Sequence, residues 1–250
     1  MKILGIIPAR YASTRFPAKA LADIHGKSMV RRVYEQALKA HSLSKVVVAT
    51  DHEEIFKHVK EFGEAVMTRS DHESGTDRCY EVLHKLSQSF DYVINIQGDE
   101  PFIMPEQIDL LATCLKSPDV QLATLIKRIT DLETLFNPNT PKVIINKDFE
   151  AIYFSRQTIP YLRDIKQEDW LASHEFYKHI GIYAYRTDIL KKITKLPVSA
   201  LEKSEALEQL RWIENGYRIK LAITEYETIG IDTPEDLKKV AHLYDGKNIE

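Results

Sequence analysis

Across the first half of the chain, short apolar runs alternate with stretches whose apolar positions recur every three to four residues. Ile3 to Ile7 and Val46 to Ala49 are compact and rich in β-branched residues, which predicts buried strands. Between them, Met29, Val30, Val33, Tyr34, Ala37 and Leu38 fall on one helical face behind Ser28, a suitable N-cap. Asp51 followed by Glu54 resembles a capping box opening a second helix. Gly75 to Ser87 reads as helix, Tyr92 to Ile96 as a buried strand, and Ile108, Leu111, Ala112 and Leu115 as the inner face of a helix after Pro105. This rhythm predicts an α/β fold with a doubly wound, mainly parallel sheet. Ligands of such sheets sit beyond the carboxyl ends of the strands, where Pro8, Thr50-Asp51 and Gln97-Gly98-Asp99 would arrive together.

From about residue 130 to 195 the rhythm breaks. The strand-like segments Val143 to Ile145, Ala151 to Phe154 and Gly181 to Tyr185 are separated by polar loop, which reads as an inserted β-rich layer. Exposed aromatics there, Tyr161 and Trp170, would shape an acceptor pocket or a dimer contact. A helix from about Ser204 to Asn215, a strand Ile219 to Ile223 and a helix after Pro234 close the chain. The expected organisation is one domain over 1–250, with a nucleotide-binding part at about 1–125 and the insertion at about 130–195.

The 34 basic residues nearly balance the 37 acidic ones, so net charge argues for neither nucleic acid nor an anionic membrane as partner. Cys79 and Cys114 lack metal-ligand spacing, as expected of a reducing cytoplasm, and the apolar start is too short for a signal peptide or a membrane span. The positive charge that matters is local. Arg10, Arg15 and Lys19 crowd one irregular segment with no acid before Asp23, which suits a polyphosphate whose leaving group needs neutralising. Ser13 and Thr14 would add to an anion nest.

Asp99 and Glu100 follow Gln97-Gly98 at a strand end, and Asp232 lies before Thr233 and Pro234, an N-cap and first helical residue. Taken singly, each acid has an ordinary turn or helix-start explanation; taken together, Asp99 and Asp232 suit a Mg²⁺ ion that draws its remaining ligands from phosphate and water. Ser74-Gly-Thr-Asp-Arg78 sets a flexible turn ahead of a helix and would read a base edge or phosphate, or simply start the helix. No G-x-G occurs, which removes the dinucleotide fingerprint, and Gly26-Lys27-Ser28 is a turn with a helix cap. Cationic loop and strand-end acids together point to metal-assisted phosphoryl or nucleotidyl transfer. His179 in its aromatic strand and Glu208-Gln209 have no assignment from the residues alone.

Eight motifs in order carry a resemblance: Pro8-Ala-Arg-Tyr-Ala-Ser-x-Arg-x-Pro-x-Lys19, Ala49-Thr-Asp51, Ser74 to Arg78, Gln97-Gly-Asp-Glu-Pro101, Tyr153-Phe-Ser-Arg156, His179-Ile-Gly-Ile-Tyr183, Leu207-Glu-Gln-Leu-Arg211 and Asp232 to Asp236. From Ile6 to about Leu243 the chain resembles the 3-deoxy-manno-octulosonate (Kdo) cytidylyltransferases, the CMP-Kdo synthetases of lipopolysaccharide assembly. The resemblance implies a nucleotide-diphospho-sugar transferase fold and a homodimer that couples CTP to Kdo with Mg²⁺. It implies that Pro8, Ala9, Arg10, Arg15 and Lys19 hold the triphosphate, that Ser74, Gly75 and Arg78 belong to the cytidine pocket, and that Asp99 and Asp232 bind the metal. Gln97, Arg156, His179, Tyr183, Glu208 and Gln209 would line the sugar pocket. Ala18 and Ala20 depart from the family's usual glycine and proline. A sialic acid or 8-amino-Kdo as acceptor, or a nucleotide-binding regulator without turnover, are the alternatives.

Overall fold

A computed structural model describes residues 1–12 and 16–243. The chain forms two compact units, Met1–Asp109 with Thr228–Glu250, and Leu110–Glu227.

In the first unit the apolar runs become β1 (Ile3–Ala9), β4 (Lys45–Thr50), β5 (Ala65–Met67) and β6 (Tyr92–Asn95), separated in sequence by a small hairpin of β2 (Asp23–Ile24) and β3 (Lys27–Ser28). The order β6-β1-β4-β5 is parallel throughout. Strands buried on both faces need continuous apolar sequence, which is why these segments read as runs and not as alternations. The hairpin turns on His25 and Gly26, both at positive φ, the geometry of a two-residue loop.

Helix Met29–Lys39 begins where predicted, with the Ser28 hydroxyl accepting from Arg31 N–H at 3.3 Å, and it buries Met29, Val30, Val33, Tyr34 and Ala37. Leu38 corrects the expected face: it is 57% exposed, because at 3.6 residues per turn it stands roughly 110° from the stripe's centre. Helix Glu53–Lys60 is capped by His52, whose ring accepts from Glu54 N–H, and not by Asp51. A buried guanidinium, Arg78, takes the Asp51 carboxylate instead. Helices Gly75–Lys85 and Pro105–Thr113 match their patterns, and Ile108, Leu111, Ala112 and Leu115 are all buried.

The second unit contains β7 (Leu122–Arg128), β8 (Lys142–Ile145), β9 (Ala151–Ser155), β10 (Tyr177–Arg186) and β11 (Ile219–Ile223). β11 runs parallel to β7, whereas β7–β10, β10–β8 and β8–β9 are antiparallel. Between Ile180 and Tyr183, β10 bulges: those residues face Leu125 and Thr124, neighbours on β7, and leave Gly181 and Ile182 outside the ladder. Tyr161 is exposed as expected, but Trp170 is not. It is 2% exposed, packs with Ile129, Leu135 and Phe176, and donates its indole N–H to the Ile165 carbonyl at 3.0 Å.

The expected helix Ser204–Asn215 is two helices, Ala200–Glu205 and Gln209–Glu214, broken at Ala206 with φ 50°. Arg156 donates to the Glu205 and Ala206 carbonyls, so these acceptors are spent on a side chain at the point where the helix stops. Strand Ile219–Ile223 and helix Pro234–Leu243 lie where the sequence predicts. Among the described residues no helix is long and apolar enough to cross a membrane.

Candidate active site

The carboxyl ends of β1, β4 and β6 are brought level by their pairing, with Ala9 beside Thr50 and Ile6 beside Asn95. Pro8 and Ala9 therefore lead the cationic loop out over the sheet edge. Gly98 crosses directly above: a Cβ there would stand 2.4 Å from the Pro8 carbonyl oxygen, so only glycine lets the β6 turn pass this close. The next residue is Asp99.

Lys19 lies in a short 3₁₀ turn, Lys19–Leu21, held by Leu21 N–H donating to the Ala18 carbonyl. Its ammonium donates to Asp99 Oδ2 at 2.7 Å and to Asp232 Oδ1 at 3.1 Å, joining residues 80 and 213 positions apart. Apolar packing sets this convergence. Ile231 is fully buried against Ile24 and Met29, with Phe16, Phe102 and Leu237 around them, and its N–H donates to the Asp99 carbonyl at 2.9 Å. Asp232 is thereby delivered next to Asp99. Burial works against the Lys19 charge, but the two carboxylates more than offset it and raise its pKa above that of an ordinary lysine.

Glu100 behaves differently from its neighbour. Its side chain is buried, Oε2 meets no hydrogen-bond donor, and its pKa rises to about 8, through burial first and the Asp99 charge second. Burial thus favours the protonated form of Glu100 at neutral pH.

Ser74 caps helix Gly75–Lys85 in a full capping box with Asp77, and Gly75 packs beside Pro8 and Asn95. Arg78 corrects the picture of a side chain offered to a ligand. It is fully buried, donating to Thr68 and, at 2.8 Å, to Asp51, whose other oxygen accepts from Tyr11 N–H at 3.4 Å. Tyr11 also stacks on His52 at 3.7 Å. Arg78 thus braces the strand end from which the cationic loop departs. Of the loop cations, Arg10 is half-buried, whereas Arg15, with Ser13 and Thr14, lies outside the described residues.

Gln97 sits at the β6 turn in the first unit. The other five residues expected at the sugar are in the second unit, and three of them, His179, Tyr183 and Glu208, come together. His179 and Tyr183 flank the β10 bulge with ring centroids 5.1 Å apart, and Glu208 is near enough to Tyr183 to add to its upward pKa shift. Burial is the main cause of that shift, with Tyr185 next. The Tyr183 hydroxyl approaches Thr124 but meets no partner with hydrogen-bonding geometry, and the buried Gln209 Nε2 is likewise unpaired. Although part of its surface is exposed, His179 is desolvated enough by its neighbours to bring its pKa down to about 3. Two buried polar atoms here, on Tyr183 and Gln209, thus keep their hydrogen-bonding capacity unspent.

Arg156 does not present a free guanidinium. It donates to the Pro138, Glu205 and Ala206 carbonyls, and so anchors the turn that precedes Glu208 and Gln209. Lys142, also buried, spends its ammonium on the Asn137, Thr140 and Arg156 carbonyls. Sequence reasoning did not assign Thr124 or Glu100 to the site. Glu100 lies within the motif Gln97-Gly-Asp-Glu-Pro101, while nothing in the apolar run around Thr124 distinguishes it.

An α/β unit with acids and cations gathered at its strand ends is that of a nucleotidyltransferase, and the sequence pattern of the cytidylyltransferase family matches residues 4–222. The 3-deoxy-manno-octulosonate cytidylyltransferase of Cytophaga hutchinsonii is 60% identical over 244 residues, 97% of each chain. That of Parabacteroides distasonis is 60% identical over 96% of each. A solved structure of CMP:2-keto-3-deoxy-manno-octonic acid synthetase complexed with CTP is 43% identical, matches with a TM-score of 0.90, and covers 98% of this chain and 99% of that one. The chain belongs to the 3-deoxy-manno-octulosonate cytidylyltransferase family.

Proposed function

We propose that the protein transfers CMP from CTP to the anomeric hydroxyl of Kdo, releasing pyrophosphate and activating Kdo for lipopolysaccharide assembly. The observation that carries this reading is the convergence of Asp99 and Asp232 on the Lys19 ammonium.

Two part-exposed carboxylates drawn to one positive centre fit a hard dication, and no group of three metal-binding side chains occurs among the described residues. Mg²⁺ suits such a pair, since it takes one or two carboxylates and completes its shell with substrate oxygens and water. When bound, it supplies Lewis acidity toward the sugar hydroxyl and neutralises the charge between two anions.

The chain's own groups do the rest. Arg10, Arg15 and Lys19 hold the triphosphate and stabilise the charge that grows on pyrophosphate as it leaves. A bond forms between the anomeric oxygen and the α-phosphorus, the bond from that phosphorus to the bridging oxygen breaks, and the hydroxyl proton passes to solvent. Ser74 and Gly75 approach the cytidine, while Arg78 acts through Asp51. The second unit carries the sugar-recognising groups His179, Tyr183, Glu208 and Gln209, with Arg156 holding the turn before the last two. The working form is a cytoplasmic homodimer, in keeping with two unbridged cysteines and a nucleoside triphosphate donor.

Pyrophosphate release with CTP, Mg²⁺ and a panel of acidic sugars tests this. Turnover requiring all three components, with Kdo preferred, is expected. Preference for a sialic acid or 8-amino-Kdo would replace the acceptor, and no release with any sugar acid would overturn the activity.

A further inference from the structure

The bulge in β10 is filled by one hydroxyl. Thr124 Oγ1 lies 2.6 Å from the Ile182 carbonyl oxygen, 3.1 Å from that of Ile180 and 3.1 Å from His179 Nε2. A hydroxyl has one proton to give, and carbonyl oxygens only accept. The short Ile182 contact claims that proton, because two unprotonated oxygens at this separation would repel. What remains on Oγ1 is lone pairs, and a lone pair facing Nε2 is favourable only if Nε2 carries hydrogen. The imidazole stays neutral through desolvation, so its second nitrogen, Nδ1, has no proton.

We infer that Thr124 is a positioning residue that locks His179 in the Nε2–H tautomer and thereby makes Nδ1 an acceptor for a hydroxyl proton of the acceptor sugar. The last clause rests on the functional reading above. The same unit holds two unspent donors, the Tyr183 hydroxyl, on the ring beside His179, and the amide of Gln209, the residue after Glu208. One acceptor and two donors, all uncharged, match a polyol whose hydroxyls both give and take hydrogen bonds. Nothing in that set would offset a cation in place of a hydroxyl; the charge that could is Glu208, close to Tyr183.

Long-range ¹H–¹⁵N correlation of the histidine rings in the free, uniformly labelled protein tests the assignment, with His179 identified by its loss in His179→Gln. The expected wild-type pattern is a protonated Nε2 and an unprotonated Nδ1. Thr124→Ser should keep it, and Thr124→Val, which removes the acceptor for Nε2–H together with the hydroxyl's donation to the Ile182 carbonyl, should shift the ring toward the other tautomer. In turnover assays Thr124→Val should raise KM for the sugar about three- to tenfold, the worth of one hydrogen bond, with KM for CTP unchanged and Thr124→Ser near wild type. A wild-type Nδ1–H tautomer would overturn the inference, as would a Thr124→Val protein with the wild-type ring pattern or an equal rise in both KM values. If Thr124→Val fails to fold, the wild-type and Thr124→Ser spectra still decide the tautomer. Absence of sugar-dependent turnover in the wild type would defeat the functional reading and the sugar clause with it, while leaving the tautomer to be judged from the free protein.

Discussion

The two units handle polarity in opposite ways. At the strand ends of the first, Lys19, Asp99 and Asp232 are paired as ions and partly open to water, with side chains 16%, 31% and 48% exposed, whereas Glu100 beside them is buried. In the second, Thr124, His179, Tyr183 and Gln209 are neutral and largely desolvated, and the Tyr183 hydroxyl and Gln209 amide go unpaired. The difference follows from what each would bind. A triphosphate and its metal bring their own charge and are met by charges that water keeps affordable. A sugar's hydroxyls are distinguished by groups whose hydrogen bonds go unmade until the ligand supplies them, since an unpaired buried group makes the wrong ligand costly.

The largest effect expected to test this contrast is at Asp99. Asp99→Asn should reduce pyrophosphate release about 10²-fold or more while melting as the wild type does, because an amide is a poor ligand for a hard dication. Near-normal turnover at low Mg²⁺ would remove Asp99 from the metal site.

Glu81 probes the charged unit away from the chemistry. Its burial opposes ionisation, but Lys85, the Arg69 N–H and His72 outweigh that and lower its pKa to about 2. A depressed carboxylate stabilises the fold above its unfolded value near 4.5, and this is lost as pH falls through about 2. Glu81→Gln should therefore cost about 2 kcal/mol at pH 7 and flatten the acid limb of a urea-melt series between those pH values. An unchanged acid limb would show that the contacts add nothing.

Tyr183→Phe addresses the neutral unit from the other side. Deleting a buried hydroxyl without a partner should stabilise the free protein by about 1 kcal/mol or leave it unchanged, yet raise KM for the sugar several-fold. Destabilisation would mean that the hydroxyl is already satisfied in the free protein.

The smallest effect concerns the loop. Ala18 has φ 54° and ψ 24°, a left-handed conformation that glycine adopts without strain, and its N–H closes the loop onto the Tyr11 carbonyl at 3.0 Å. Ala18→Gly should raise stability by about 0.5 kcal/mol, the strain relieved less the entropy of a freer unfolded chain. A lower melting temperature would show that the strain is offset elsewhere. The departure from the family's usual glycine thus falls at a position where the backbone favours it.

Apolar periodicity was sufficient for β1, β4, β6 and the helices after Ser28, Ser74 and Pro105, because continuous burial and local caps leave a mark within a few residues. It also placed Asp99 and Asp232 at strand or helix ends, where ligands of an α/β sheet arrive. It failed wherever a distant side chain competed for a local group. Asp51 resembled a cap until Arg78 claimed it, and the helix through Ala206 looked continuous because the guanidinium of Arg156 comes from about 50 positions away, just after β9. Trp170 appeared exposed because its cover, Ile129 and Phe176, lies on other segments.

Composition and order of residues alone thus determined the fold class, the cationic loop and the acids that answer it, since each is written in contiguous motifs. Only the folded chain decided that Lys19 bridges the two aspartates, that Arg78 and Arg156 are braces, and that Thr124 governs a histidine. Those outcomes depend on hydrogen bonds between residues tens to hundreds of positions apart, and such a bond forms only once packing has excluded the water that would otherwise satisfy both partners.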